Sequence, residues 1–312
     1  MPFGFAFSPP STTLGQRLSA VCLVLCAWLW SLSAHAADIL LVAAEDSASV
    51  QSFTRALSQL RPADNVRFQP LSSLPSPTRL DSATRLVLLD LPSFEWRLQD
   101  SAGPPTLVLR ISRLQARQHL SVTLPARLTL LWSDPSPIRQ LRLIQALMPQ
   151  VRKIGVLYDD HSEFLLSELQ LAALSLNLEI VAEPWINTND SRPLQTLLNN
   201  SDVLLGLDDP DLYNPKTAKN LLLSSYSRQV PLVGPNASFV RAGSLVSSYS
   251  DQNDWLNVLD TLLDMPTANW PRSHYPAHFK VLSNPQVARS LGIEPIDEAE
   301  LATRLAEGEN RP

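Results

Sequence analysis

Short apolar runs alternate with segments of helical periodicity along most of this chain. The first run covers residues 39–44, and the segment that follows it places apolar residues at positions 50, 53, 56, 57 and 60. A continuous apolar run that leads directly into an amphipathic helix is typical of a buried parallel strand and its crossover. The opening of the chain therefore predicts a parallel sheet, with a helix that begins just after Ser47.

The same unit recurs, which predicts an α/β fold. Further strands are predicted at residues 86–89, 106–109, 128–132, 153–158, 178–181, 202–206, 230–234 and 244–249, and helices at 113–120, 137–147, 163–176, 193–198, 215–228 and 254–263. So many strands exceed one comfortable sheet, and two prolines flank a polar pair at residues 133–137. Two doubly wound parallel-sheet lobes joined by a hinge fit this pattern better than a single eight-fold barrel, because the strand count is uneven.

The break at residues 133–137 suggests the domain boundaries. We expect lobe 1 at residues 37–133, completed by about 247–270, and lobe 2 at residues 134–246. Prolines at 271, 276, 285 and 295 favour an extended C-terminal segment over residues 271–312, helical only after about Asp297, that crosses or packs on the lobes.

Residues 1–36 have the pattern of a secretory signal peptide. Arg17 supplies a positive charge, residues 18–32 are almost all apolar, and Ala34 and Ala36 form a small-x-small cleavage site. The apolar run is short for a membrane span. The pattern predicts export to the periplasm and cleavage after Ala36, with an uncleaved N-terminal anchor as the alternative.

Composition narrows the chemistry of the exported chain. Its only cysteines, Cys22 and Cys26, lie in the leader, which excludes disulfides, thiolate metal sites and thiol nucleophiles from the remainder. With 25 basic and 30 acidic residues, a nucleic-acid surface is not expected.

The common enzyme motifs are missing from the sequence. It contains no Gly-x-Ser-x-Gly, P-loop, Gly-x-Gly-x-x-Gly or His-Glu-x-x-His pattern, so we expect no enzyme activity and no cofactor. Asp208 and Asp209 leave open a minor alternative, an exported hydrolase with paired carboxylates. His274 and His278 have a metal-ligand spacing, but the prolines around them deny a helix, and we expect no metal site.

Four blocks of the second half carry a family resemblance. They are residues 141–158 (LRLIQALMPQVRKIGVLY), 202–209 (DVLLGLDD), 230–249 (VPLVGPNASFVRAGSLVSSY) and 280–292 (KVLSNPQVARSLG). In order and spacing they resemble the substrate-binding proteins of ABC importers, the type I periplasmic group related to tryptophan- and tyrosine-binding receptors. The resemblance implies a two-lobed clamshell that holds a small ligand in the interlobe cleft and delivers it to an inner-membrane permease.

In open α/β sheets, ligands bind beyond the carboxyl ends of the strands, which in a clamshell face each other across the cleft. The candidate ligand-binding residues are therefore those that follow each strand. They are Glu45, Asp46, Ser47, Asp90, Ser93, Arg110, Ser112 and Arg113 in lobe 1, and Tyr158, Asp159, Asp209 and Asn236 in lobe 2. The resemblance implies that Asp209 corresponds to the aspartate that ends a strand in the family, where its carboxylate suits a ligand ammonium. Arg110 and Arg113 suit a ligand carboxylate.

The first lobe departs from the family pattern. Pro92 stands close to where the family has a small hydroxylated residue before a helix, and proline has no N–H to offer a carboxylate.

From these patterns together we expect a monomeric periplasmic solute-binding protein for a small organic ligand, with amino acids among the candidates. The alternative is a degenerate binding-protein fold that serves as an envelope interaction or sensory module, with an outer-membrane receptor or a sensor protein as its partner.

Overall fold

The computed structural model describes residues 36–120 and 125–309, so the predicted signal peptide lies almost wholly outside the described residues. Twelve strands are present in this part of the chain: β1 (Asp38–Ala43), β2 (Asn65–Pro70), β3 (Arg85–Leu88), β4 (Thr106–Ile111), β5 (Leu128–Trp132), β6 (Lys153–Tyr158), β7 (Glu179–Pro184), β8 (Val203–Leu205), β9 (Leu232–Val233), β10 (Val246–Tyr249), β11 (Ser273–His274) and β12 (Lys280–Ser283). They form two six-stranded sheets, ordered β11-β5-β4-β3-β1-β2 and β12-β10-β9-β8-β6-β7.

All strand pairs are parallel except β10 with β12, which is antiparallel. The helices that connect the strands are α1 (Ala48–Leu60), α2 (Leu91–Leu98), α3 (Arg113–His119), α4 (Pro137–Leu147), α5 (Glu163–Leu174), α6 (Arg192–Asn200), α7 (Pro215–Ser227), α8 (Ala237–Ala242), α9 (Gln252–Asp264), α10 (Pro285–Ser290) and α11 (Glu298–Glu309). Short 3₁₀ turns occur at Leu71–Ser73, Pro77–Arg79 and Thr267–Asn269. The predicted α/β class with two doubly wound sheets is confirmed.

Each sheet has its own apolar core. In the first lobe, α1 and α9 pack on one face of the sheet, where Phe53 and Leu57 meet Trp255 and Leu259. In the second, α4 and α5 pack on one face together with α11, which contributes Leu301 and Leu305. Inner strands such as β1, β3 and β8 read as apolar runs because both faces of each sheet are covered.

The chain passes between the lobes three times. The crossing segments are residues 133–136 between β5 and α4, residues 250–251 between β10 and α9, and residues 275–279 between β11 and β12. Strand β10 belongs to the second sheet as far as Tyr249, so the chain returns to the first lobe slightly later than the expected residue 247. Three connections of this kind leave the lobes able to move as rigid bodies about a hinge.

The C-terminal segment is more structured than its prolines suggested. It supplies an edge strand to each sheet, and it forms a helix, α10, ahead of residue 297. Pro285 stands at the first helical position, where its missing N–H costs nothing, and the Asn284 side chain caps the helix by accepting hydrogen bonds from two backbone N–H groups.

The periodicity argument missed β2 and α2. Strand β2 is a half-exposed edge strand with polar residues at alternate positions, so it lacks the continuous apolar run of its neighbours. Helix α2 begins directly after β3, with Pro92 in its first turn. Among the described helices, none is long and apolar enough to cross a bilayer.

Candidate functional site

Arg113 connects the two lobes at the cleft. It is the first residue of α3, and its backbone N–H donates to Asp134 Oδ1 at 2.9 Å while its Nε donates to Asp134 Oδ2 at 2.5 Å. Its Nη1 donates to Glu168, on α5 of the second lobe. Burial lowers the pKa of Arg113, but the charges of Asp134 and Glu168 more than offset this and keep it above its usual value.

Asp208 lies on the opposite wall of the same cleft, after β8. Burial and the charge of Asp134 raise the pKa of Asp208 to about 6, although a hydrogen bond from the Asn236 side chain acts in the other direction. The cleft therefore brings together a guanidinium from lobe 1, a carboxylate from the first crossing segment and a second carboxylate from lobe 2. This set of charges can bind a ligand that carries both an acidic and a basic group.

The space between these groups is small. The cavity lined by Arg113, Asp134 and Asp208 has a volume of about 30 Å³, whereas pockets for small organic ligands usually hold roughly 300–1,000 Å³. A second interlobe contact lies nearby, where Arg117 Cζ is 4.5 Å from the centre of the Phe164 ring. The lobes thus contact each other across this cavity, and a ligand of amino-acid size does not fit unless they separate.

Two larger hollows are lined by other residues, although Asn236, which contacts Asp208, also lines the second of them. One, of about 590 Å³, lies beside α11 and is lined by residues 146–150 and by parts of 292–304. The other, of about 640 Å³, is an apolar groove between α7 and α8. Neither contains Arg113, Asp134 or Asp208, so size alone does not identify the ligand site.

The first three candidates of lobe 1 are exposed residues at the start of a helix. The Ser47 side chain caps α1, where its Oγ accepts a hydrogen bond from the Val50 N–H at 3.3 Å. Asp46 Oδ1 accepts one from Gln51 Nε2 at 2.6 Å. Glu45 is exposed beside them. Their contacts are those of a helix N-terminus.

The side chains of Asp90 and Ser93 form hydrogen bonds with backbone groups. Asp90 caps α2 and accepts hydrogen bonds from the Ser93 N–H at 3.0 Å and from the Ala44 N–H at 2.6 Å, so both carboxylate oxygens have partners. Ser93 is fully buried, and its hydroxyl donates to the Asp90 carbonyl. Together they fix the end of β1 against the start of α2.

Arg110 and Arg113 do not contact the same groups and line different cavities. Arg110 has a φ of 56°, in the left-handed region, and its Cζ lies 5.4 Å from the Phe53 ring centre. It lines a separate cavity of about 40 Å³ with Asp90, and burial of its guanidinium lowers its pKa. Ser112, nearly buried, forms a capping box with Gln115 at the start of α3.

The second-lobe candidates also include helix caps. Asn236 caps α8 through the Phe239 N–H at 3.1 Å. Asp159 Oδ1 accepts hydrogen bonds from the N–H groups of His161 and Ser162 at 2.9 and 3.0 Å. Tyr158 is partly buried against the core, and Asp209 is only 1% exposed.

The strand-end rule missed three cleft residues. Asp134 lies just after the end of β5 and fits that rule. The prolines around it, however, indicated a linker rather than a ligand contact. Glu168 lies in the middle of a helix, and no sequence pattern marks it. Tyr275, whose ring centre is 5.7 Å from Arg113 Cζ, lies in the third crossing segment.

The comparisons with known proteins concern the fold. No family model matches the chain, and no curated protein matches it. A ligand-free, open structure of a substrate binding protein with adhesive properties from Clostridium difficile has a TM-score of 0.64 at 16% identity, over 83% of this chain and 96% of that one.

Two further structures are similar. A conserved domain protein from Vibrio cholerae has a TM-score of 0.54 at 16% identity, over 86% of this chain and 98% of that one. An ABC domain in complex with L-Trp from Streptococcus pneumoniae has a TM-score of 0.53 at 19% identity, over the same shares. Sheet order, the three crossings and these likenesses together show that this chain has the two-lobed α/β fold of these structures.

Proposed function

We propose that this protein is a non-catalytic solute-binding protein of the periplasm, which closes its two lobes on a small organic ligand and presents it to an ABC importer. The observation that carries the proposal is the convergence of Arg113, Asp134 and Asp208 from three parts of the chain on one interlobe cleft. The L-Trp complex of a protein with this fold supports a ligand of amino-acid type.

The charges suggest how a zwitterion would bind. A ligand carboxylate would bind the Arg113 guanidinium in competition with Glu168. The Glu168 side chain is 47% exposed, so its ion pair with Arg113 is weak. A ligand ammonium would lie against Asp208. Closure would then be favoured by contacts that the ligand makes to both lobes, as population shift requires.

Thermal denaturation against a ligand panel tests the proposal. We expect one class among amino acids, small peptides, purines and carboxylates to raise the Tm of the purified chain, since a ligand that binds only the folded state stabilises it by mass action. Asp208→Asn should weaken that ligand at least about tenfold, because a charged hydrogen bond is worth about 1.5–3 kcal/mol. Asp46→Asn, at an exposed strand end, is the matched control and should bind normally.

A second candidate is an envelope interaction module without a transported ligand. The cavity of about 30 Å³ and the Arg113 ion pairs that fill the cleft favour it. Its partner would be an outer-membrane receptor or a sensor protein, and crosslinking in cells would recover that partner rather than a permease. A folded protein that no member of the panel stabilises would contradict the first candidate and support the second.

A further inference from the structure

Three aspartates meet at the carboxyl edge of the second sheet. Asp159 follows β6, and Asp209 and Asp211 follow β8, which pairs with β6 in parallel. One carboxylate oxygen from each lies within 4.8 Å of the other two. Because parallel neighbours end at the same edge, the fold itself forces these like charges together.

The middle member of this group is buried without full hydrogen bonding. Asp209 is 1% exposed, and its Oδ1 accepts a hydrogen bond from the Asp211 N–H at 2.9 Å. Its Oδ2 has no hydrogen-bond partner among the described residues. A buried carboxylate oxygen left unpaired is costly, so this position calls for a partner.

The neighbouring side chains do not supply that partner. The Ser162 hydroxyl interacts favourably with Asp209, but its single proton donates to Asp159 Oδ1 at 3.0 Å and cannot satisfy both carboxylates at once. Among the described residues, no lysine, arginine or histidine forms an ion pair with any of the three aspartates.

We propose that Asp159, Asp209 and Asp211 bind a hard divalent cation of the Ca²⁺ or Mg²⁺ type. Such ions prefer carboxylate oxygens at about 2.0–2.6 Å, so two ligands of one ion lie up to about 5 Å apart, which matches the separation of 4.8 Å or less. The ion would provide the missing partner of Asp209 Oδ2 and neutralise the repulsion among the three carboxylates. Asp209 would then be a metal ligand rather than the contact for a ligand ammonium.

Metal binding to the chelator-treated full chain tests this proposal. Calorimetry with Ca²⁺ and, separately, Mg²⁺ should show one bound ion per chain, together with a rise in Tm. Asp211→Asn, at an exposed position that should not impair folding, is expected to weaken binding at least tenfold. Asp160→Asn, an exposed acid next to Asp159 but outside the group, is the matched control and should bind normally.

A second variant distinguishes stabilisation by a bound ion from stabilisation by the loss of a repelling charge. Asp209→Asn should raise the Tm of the metal-free protein, because it removes a buried unpaired charge, and should abolish the rise that the ion produces. No bound ion at millimolar Ca²⁺ or Mg²⁺, or equal weakening by Asp160→Asn and Asp211→Asn, would overturn the proposal. The result is independent of the solute-binding test, since a chain that binds the cation and no organic ligand upholds one proposal and contradicts the other.

Discussion

The guanidinium carbon of Arg139, on α4, lies 3.7 Å from the centre of the Phe279 ring at the end of the third crossing segment. Arg139 is 3% exposed, donates to the Pro276 carbonyl at 3.0 Å, and forms two hydrogen bonds with the Glu309 carboxylate at 2.7 and 2.8 Å. One side chain thus holds the third crossing segment and α11 against the second lobe.

Arg139→Ala should reduce the free energy of unfolding by about 3 kcal/mol, because it leaves a largely buried carboxylate and a carbonyl without their donor. Urea denaturation measures this change. Arg289→Ala, which removes an exposed arginine of α10, should change stability by less than about 0.5 kcal/mol. Equal effects of the two variants would show that Arg139 does not have the structural role described here.

Glu168→Gln should shift the lobes toward the open form. The variant removes the charge that pairs with Arg113 across the cleft, and a pair with one exposed partner is worth up to about 1 kcal/mol, or about a fivefold change in the closed-to-open ratio. Small-angle scattering should report a larger radius of gyration. Glu163→Gln on the same helix is the control, and unchanged scattering in both variants would exclude Arg113–Glu168 as a latch.

Asp64 should make the stability of the chain depend on acid pH. Burial raises its pKa, but hydrogen bonds from the Ala37 N–H and Arg61 outweigh this, so the folded-state pKa lies below the ordinary value. A depressed pKa stabilises the fold above about pH 4, and that contribution is lost as pH falls through the folded-state value.

The stability difference between the wild type and Asp64→Asn should therefore shrink as pH is lowered from about 5 to about 3, as measured by urea denaturation at each pH. A difference that stays constant over this range would contradict the assignment of the shift to Asp64.

The predicted cleavage after Ala36 has a consequence at the same carboxylate. The Ala37 N–H donates to Asp64 Oδ1 at 2.8 Å, so a chain that begins at Ala37 would place its α-ammonium group there and gain a charged hydrogen bond. Asp64→Asn should then cost about 1 kcal/mol more in a chain that begins at Ala37 than in one that keeps the preceding residues. Equal costs in the two chains would show that the terminal charge does not reach Asp64.

Gly155, in the middle of β6, should not tolerate a side chain. A Cβ there would lie 2.5 Å from Ser201 Oγ and 2.7 Å from Leu204 Cδ2, so Gly155→Ala should destabilise the second lobe by about 2 kcal/mol. Gly308→Ala, in α11, meets only the flexible end of Arg142 at 3.3 Å and should be neutral or stabilise by up to about 1 kcal/mol. Thermal unfolding of the two variants distinguishes these outcomes, and a neutral Gly155→Ala would contradict the packing described.

The sequence predicted the buried strands well because a parallel strand covered on both faces must be apolar throughout, as in Leu40 and Leu41. The site was harder to predict, since Ser, Asp and Asn occur after strand ends both as helix caps and as ligand contacts. Ser47, Asp90 and Asn236 cap helices, whereas Arg113 reaches across the cleft. Sequence alone does not separate a cap from a ligand contact, and Glu168 enters the site only through tertiary packing.

The pairing of β11 with β5, and of β12 with β10, has a consequence for the order of folding. Ser273 pairs with Leu130, and Lys280 pairs with Tyr249, so an edge strand of each sheet is synthesised after the other five described strands of that sheet. Neither lobe can acquire its complete set of strands while a translating or translocating chain still withholds that segment. Contacts as distant in sequence as that of Ser273 with Leu130 also form slowly, so a nascent chain passes through a stage in which two incomplete sheets have exposed edges that are open to chaperones and proteases.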